Sequence, residues 1–267
     1  QDLVLLSLKA HQISVVVDDL PSLFSNDTVI VTLQNGIPWW YFQKFKGDYS
    51  NRVVETVDPG GILFRGIDPD RIVGCIAYPA AVVSEPGVIK HIEGNRFPVG
   101  ELDGSLSDRV SRVSEIFSGA GFKSRILEDI RSEIWLKLWG NMTFNPISAL
   151  THATLVDICR FPLTRALSTS MMTEAKAIAE RLGAVFRVPM ERRISGAEAV
   201  GKHKTSMLQD VEAGKPLEID GMLGVVIELA EMTGIEVPSL RSLYACTSLL
   251  NKTIQDEAIF LKGTARS

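Results

Sequence analysis

Two unbroken aliphatic stretches, "DLVLLSL" (Asp2 to Leu8) and "DTVIVTLQNG" (Asp27 to Gly36), limit the fold more than any other feature of the chain. A strand with one wet face alternates apolar and polar side chains, so continuous Val/Ile/Leu runs mark strands buried on both faces, as in a parallel sheet. Parallel neighbours need a crossover, and "HQISVVVDDLPSLF" between the two runs has apolar spacing that suits a helix, although Val15 to Val17 pull toward strand. The predicted opening is therefore β-α-β. "NRVVETV" and "RIVGCIAYPA" continue the strands, and "GVIKHIEG" with "RFPVGEL" predicts a hairpin. "LSDRVSRVSEIFSGAG" reads as an amphipathic helix capped by Ser107 or Asp108 and stopped by Gly119 and Gly121, with "FKSRIL" as a last strand.

From Asp129 the pattern changes. Helical periodicity covers 130–145, 163–182, 206–212, 217–233 and 239–252, and strand-like alternation disappears. The chain's 267 residues have room for two ordinary domains, and the reading is an α/β domain over 1–128 followed by an all-helical domain over 129–267. No repeat and no low-complexity linker separates them, and a cleft between two such domains is a common ligand site.

Composition removes several functional classes. The formal net charge of -4 argues against a general affinity for nucleic acid or an anionic membrane surface, although "GKHK" (Gly201 to Lys204) suits a small anionic ligand. No apolar run approaches the ~20 residues of a membrane span. Cys75, Cys159 and Cys246 are scattered, as are His11, His91, His152 and His203, so neither a disulfide framework nor a metal-binding spacing is present. The sparse, odd cysteine count fits a reducing, cytoplasmic compartment.

The segment "SEIWLKLWGNMTFNP" (Ser132 to Pro146) is unusual within the helical half. Lys137, Asn141 and Asn145 recur every fourth residue and drift only ~40° per step around a helix, so they share one face. Ile134, Trp135, Leu138, Trp139, Met142 and Phe144 take the other angles. Burying unpaired amides costs roughly 1–3 kcal/mol each, so the stripe must face water, a polar cavity or a ligand. As a solvated seam it would do nothing; as the lining of a polar cleft, lysine can donate a proton or bind an anion and asparagine can orient oxygens.

Other candidates are weaker alone. In "KHKTSMLQDVEAGKPLEIDGMLG" (Lys202 to Gly224), Ser206 with Gln209 reads as a capping box, and Glu218 and Asp220 as acids at a helix start. Asn35 and Gly36 end a buried strand and Lys9 follows another, which places them at the carboxyl edge of the sheet, where ligands of open α/β folds bind; an Asn-Gly turn explains the pair equally well. Ala80 and Ala81 are small enough to admit a flat ligand or another backbone. A G-x-G-x-x-G fingerprint is absent from the chain.

"LSLKAHQ", "LQNG", "WLKLWGNMTFNPISALT" and "HKTSMLQDVEAGKPLEIDGMLG", in that order, resemble the ketopantoate reductase (2-dehydropantoate 2-reductase) family over essentially the whole chain. The resemblance implies a Rossmann-type NADP-binding domain, of which 1–128 is the C-terminal part, and a helical domain of the 6-phosphogluconate dehydrogenase C-terminal type. The family's glycine-rich loop and first βαβ unit are expected to precede Gln1. It implies NADPH-dependent reduction of a 2-keto acid, 2-dehydropantoate, in the biosynthesis of pantothenate and coenzyme A. Lys137 matches the general acid, Asn141 and Asn145 the substrate-orienting asparagines, and Ser206 a contact to the substrate carboxylate. Glu218 matches an acid that serves both catalysis and the nicotinamide end of the cofactor, and Lys9, Asn35 and Ala81 match cofactor-lining positions.

Three alternatives stay open: a relative acting on another keto acid, one acting on an imine, or a non-catalytic remnant serving as an interaction module. The apolar faces over 217–233 and 239–252 suit a homodimer interface or the core of the helical domain.

Overall fold

The computed structural model describes residues 1–257. It divides into two compact units, Gln1–Ile134 and a second that begins at Trp135.

In the first unit, the two aliphatic runs form β1 (Leu3–Leu6) and β2 (Val29–Thr32), joined by the short helix α1 (Ala10–Val16). A further short helix, α2 (Ile62–Gly66), precedes β3 (Ile72–Cys75). β1 pairs with β2 and β2 with β3, both parallel, and the ends of these strands stay level through Leu6↔Thr32 and Thr32↔Gly74. β2 and β3 are buried at every position, as their unbroken aliphatic character requires.

The chain then builds a separate exposed hairpin of β4 (Ala80–Glu85) and β5 (Val88–Glu93) before β6 (Val99–Glu101) closes the main sheet antiparallel to β3. The predicted hairpin partners are thereby corrected: "GVIKHIEG" pairs with the residues before it, not with "RFPVGEL". The Pro86-Gly87 turn decides this, since Gly87 takes φ 80°, the left-handed conformation that a tight type II reversal asks for. Two more predicted strands do not form. "NRVVETV" runs through turns, and "FKSRIL" makes isolated bridges at Lys123 and Ile126.

Helix α3 (Asp108–Gly119) covers one face of the sheet, packing Val110, Val113 and Phe117 on Val29, Val31, Val73, Cys75 and Val99. Ser107 is its cap, accepting from Val110 N at 3.1 Å. Arg109 ties the helix to the sheet by donating from Nε and Nη2 to the buried Glu101 carboxylate at 2.6 and 2.5 Å. That hydrogen bonding, opposed by burial, holds the guanidinium above its ordinary range.

At Gly74 a methyl group would collide with Ile130 and lie 2.8 Å from the Trp40 ring, so the absent side chain lets both approach the strand. Beside them Arg131 donates to three backbone carbonyls: Tyr41 O at 2.7 Å, Gln43 O at 2.8 Å, and Leu102 O. Burial lowers its pKa, but a guanidinium starts so high that it remains charged.

The second unit is helical. α4 (Ile130–Thr151) contributes its first turn to the first unit and the rest to the second. It passes through Pro146, where a stop was expected, because Ile147, Ser148 and Ala149 beyond it are buried and packing outweighs the lost N–H. Then follow α5 (Leu155–Arg160), α6 (Pro162–Arg181), α7 (Met190–Ala199) and α8 (Ser206–Glu212). A π-helical turn (Asp220–Gly224) leads into α9 (Val225–Thr233), and α10 (Pro238–Glu257) completes the described fold. Sequence periodicity did not reveal α5 and α7, which are short.

Replacing Arg131 with methionine keeps its bulk but leaves three carbonyls without their donors. The expected loss is roughly 2–4 kcal/mol, read as a lower urea midpoint at unchanged slope.

Candidate functional site

The stripe on α4 is not a solvated seam. Lys137 and Asn141 are half-buried and Asn145 is only 6% exposed, while Trp135, Leu138, Trp139, Met142 and Phe144 are buried around them. The helix is fixed in rotation by Trp139, whose indole N–H donates to Met172 O on α6 at 2.7 Å and whose ring lies 4.3 Å from that of Phe186. Thr143 is turned back on the helix, donating to Trp139 O at 2.9 Å, so the one other polar side chain within the stripe's span is spent internally. Asn145 donates from Nδ2 to the sulfur of Met222 at 3.7 Å, joining α4 to the π-helical turn. A thioether is a weak acceptor, so the amide is held in place without being saturated.

The segment from 202 to 224 is organised differently from the expected capping box. Thr205, not Ser206, caps α8, accepting from Leu208 N at 3.3 Å, and Gln209 donates to Lys204 O at 3.1 Å. The buried hydroxyl one residue earlier takes the capping role, which leaves Ser206 exposed on the first turn. Glu218 does not open a helix either. It lies before the π-helical turn, half-buried between the buried Leu217 and Ile219, and no hydrogen bond or ion pair among the described residues engages its carboxylate. Asp220 begins the turn and accepts from Tyr244 Oη at 2.7 Å. Isolated π turns recur at functional positions because the extra residue re-aims side chains.

In the first unit, Lys9 precedes α1 as its cap residue and Asn35 follows β2, so both stand at the carboxyl edge of adjacent parallel strands. Gln12 secures Lys9 by accepting from its backbone N–H at 3.1 Å. Gln34 donates to Leu6 O at 2.9 Å across the same edge, and its Oε1 is buried with no hydrogen-bond donor among the described residues. An acceptor left open at this edge suits a hydroxyl-bearing ligand. Ala81 is exposed on β4, paired with His91.

Among the described residues no three His, Cys, Asp or Glu side chains gather as a metal site. Burial pushes the Cys159 thiol up to about 11, which keeps it protonated and unreactive at neutral pH.

Comparison with known proteins converges on one group. Residues 1–104 match the family model "Ketopantoate reductase PanE/ApbA", and residues 129–251 match its C-terminal counterpart. The chain belongs to the ketopantoate reductase family. It is 47% identical to a 2-dehydropantoate 2-reductase of Mesorhizobium japonicum over 92% of this chain and 75% of that one. A crystal structure from Ralstonia solanacearum assigned to ketopantoate reductase superposes with a TM-score of 0.90 at 35% identity, covering 95% of this chain and 77% of that one. The 2-dehydropantoate 2-reductase of Geobacter metallireducens gives 0.79 at 26% identity, covering 93% of this chain and 77% of that one.

Membership in this family of oxidoreductases gives the stripe and the 202–224 segment their interest. No helix among the described residues is long and apolar enough to cross a membrane. Reading the sequence missed the partners that hold these two segments: Met172 behind Trp139, Met222 beside Asn145, and Tyr244 and Asn251 on α10. Their contacts lie 33, 77, 24 and 34 residues away in sequence, beyond the reach of any local pattern.

Thr205 and Ser206 are adjacent hydroxyls with different jobs, and substitution separates them. Thr205→Ala should lower stability by about 1 kcal/mol through the lost cap. Ser206→Ala should leave the thermal midpoint unchanged, so any loss of turnover it causes is not a folding effect.

Proposed function

We propose that this protein reduces a 2-keto acid, 2-dehydropantoate, to its 2-hydroxy acid, pantoate, using NADPH. The observation that carries the reading is the half-buried Lys137-Asn141-Asn145 face on a helix otherwise packed in apolar side chains, in a chain 47% identical to a 2-dehydropantoate 2-reductase. A packing helix has no need of such a face, and a keto acid does.

When bound, a reduced nicotinamide would supply the hydride for the keto carbon. The chain's own part is to place the substrate and manage the proton. Lys137 is the general acid: its ammonium gives a proton to the carbonyl oxygen as negative charge grows there, and it is recharged from solvent afterwards. Asn141 and Asn145 donate amide N–H groups that fix the orientation of the substrate's oxygens. Ser206 donates to the substrate carboxylate, and Glu218 is the acid that serves the nicotinamide end of the site near Lys137.

Lys9, Asn35 and Ala81 are the residues that would line the cofactor. The open Gln34 oxygen beside Asn35 supports a ligand rich in hydroxyls at that edge. The positive-φ turn at Gly36 (φ 84°) brings backbone rather than side chain to the same place. We place the protein in the cytoplasm, in keeping with its sparse thiols.

The full-length protein should oxidise NADPH in the presence of 2-dehydropantoate, more efficiently than NADH and more efficiently than with a panel of other 2-keto acids. Lys137→Ala should lower kcat by about 10²–10⁴-fold, the usual worth of a positioned general acid, with an unchanged melting temperature. Full turnover in that variant would remove Lys137 from the role, and preference for another keto acid or for NADH would reassign the substrate or cofactor.

A further inference from the structure

The segment that carries Glu218 is gripped on both sides by one helix. Before Glu218, the backbone N–H of Leu217 donates to Asn251 Oδ1 at 2.9 Å. After it, Asp220 Oδ1 accepts from Tyr244 Oη at 2.7 Å. Tyr244 and Asn251 both belong to α10 and stand seven residues apart, which is close to two full helical turns and puts them on one face.

The contact is built into the backbone as well. Gly224 ends the π-helical turn, and a methyl group there would come within 3.1 Å of the Tyr244 ring and hydroxyl, so the absent side chain admits the ring. Leu217 and Ile219, on either side of Glu218, are 6% and 2% exposed and anchor the same stretch in the core. Burial, and next the hydrogen bond to Asp220, raise the Tyr244 pKa, so the phenol keeps its donor proton through the neutral range. A free loop between α8 and α9 would need none of this.

We propose that Tyr244 and Asn251 of α10 are positioning residues for Glu218, holding the chain at Asp220 and Leu217 so that the carboxylate between them has one place to be. The inference rests on the reading above that Glu218 serves the reduction. It also gives the π turn a purpose: the extra residue lets Asp220 reach Tyr244 while Met222 reaches Asn145, so one turn serves α10 and α4 together.

The test uses the full-length protein with NADPH and 2-dehydropantoate. Tyr244→Phe removes the hydroxyl and Asn251→Leu removes the acceptor, while Asn251→Asp keeps an oxygen for Leu217 N. Each is made alone and on a Glu218→Gln background, and backbone hydrogen exchange over 217–224 is followed alongside kinetics.

Tyr244→Phe and Asn251→Leu should each lower kcat about tenfold with little change in KM, and less than about twofold on the Glu218→Gln background, because they act through Glu218. Asn251→Asp should restore most of the rate. Exchange over 217–224 should quicken in the first two variants and not in the third, even if one of them proves less stable overall. Equal fold-losses on both backgrounds, or unaltered exchange in 217–224, overturn the proposal. If Glu218→Gln alone turns over at the native rate, the role assigned to Glu218 has failed instead, and the exchange data then report a brace that serves folding only.

Discussion

The hydrogen bond from the Trp139 indole to Met172 O sets the rotation of α4, and the chemistry proposed for this protein depends on that rotation. A helix with apolar residues on most sides can pack in several phases at similar burial. Turning it by one residue, about 100°, would put Lys137 among the side chains that now surround Trp135 and Leu138. An indole N–H has one donor and no acceptor, and leaving it unpaired in the core costs roughly 1–3 kcal/mol. That penalty, with the Phe186 ring against the same indole, selects the phase in which Lys137 and Asn141 stay half-buried and Asn145 meets the Met222 sulfur.

The second constraint acts on the segment opposite Asn145. Met222 lies in a π-helical turn, and its sulfur is the partner of the Asn145 amide. A carboxylate in that position would bind the amide strongly and leave it less to offer a ligand; a thioether orients it weakly. The same turn presents Asp220 to Tyr244 and Gly224 to the tyrosine ring, so neighbours add to its own wider hydrogen bonding, in which Val225 N–H donates to Asp220 O. The irregularity is confined to five residues, while α9 beyond them is regular and largely buried.

How much could be read in advance follows from the range of each interaction. The buried parallel strands and the change to helices near Asp129 are local patterns, and both appear in the structure. "NRVVETV" has strand-like residues, but the chain there turns with Asn51 N–H donating to Phe42 O at 2.8 Å, and the Asp58 carboxylate accepts from Leu63 and Phe64 N–H groups at 2.8 Å, starting α2 where a strand would have continued. β5 found its partner through a turn whose geometry rests on Gly87. The polar stripe was visible because its period is that of a helix. The roles of its members were not, since periodicity says which residues share a face and nothing of what they touch. Those roles came from the family resemblance, and membership in the family was then established over both halves of the chain.

Hydrogen-bond saturation marks the charged groups that hold the fold, while the candidate groups share their under-satisfaction with buried atoms of Trp39, Gln43, Ser168 and Ser248. Arg131 is charged and largely buried, yet its donors are committed to Tyr41, Gln43 and Leu102 carbonyls, which leaves it little to give a ligand. Glu101 is likewise consumed by Arg109 and Ser107. Asn145 has a weak sulfur partner, the Gln34 oxygen has no donor among the described residues, and the Glu218 carboxylate has neither hydrogen bond nor ion pair among them. Leaving such groups under-satisfied costs stability, about 1–3 kcal/mol for each buried one, and packing alone gives no return for it. A ligand could return that cost at each group separately, by offering an acceptor to the Asn145 amide or a donor to the Gln34 oxygen or to the Glu218 carboxylate.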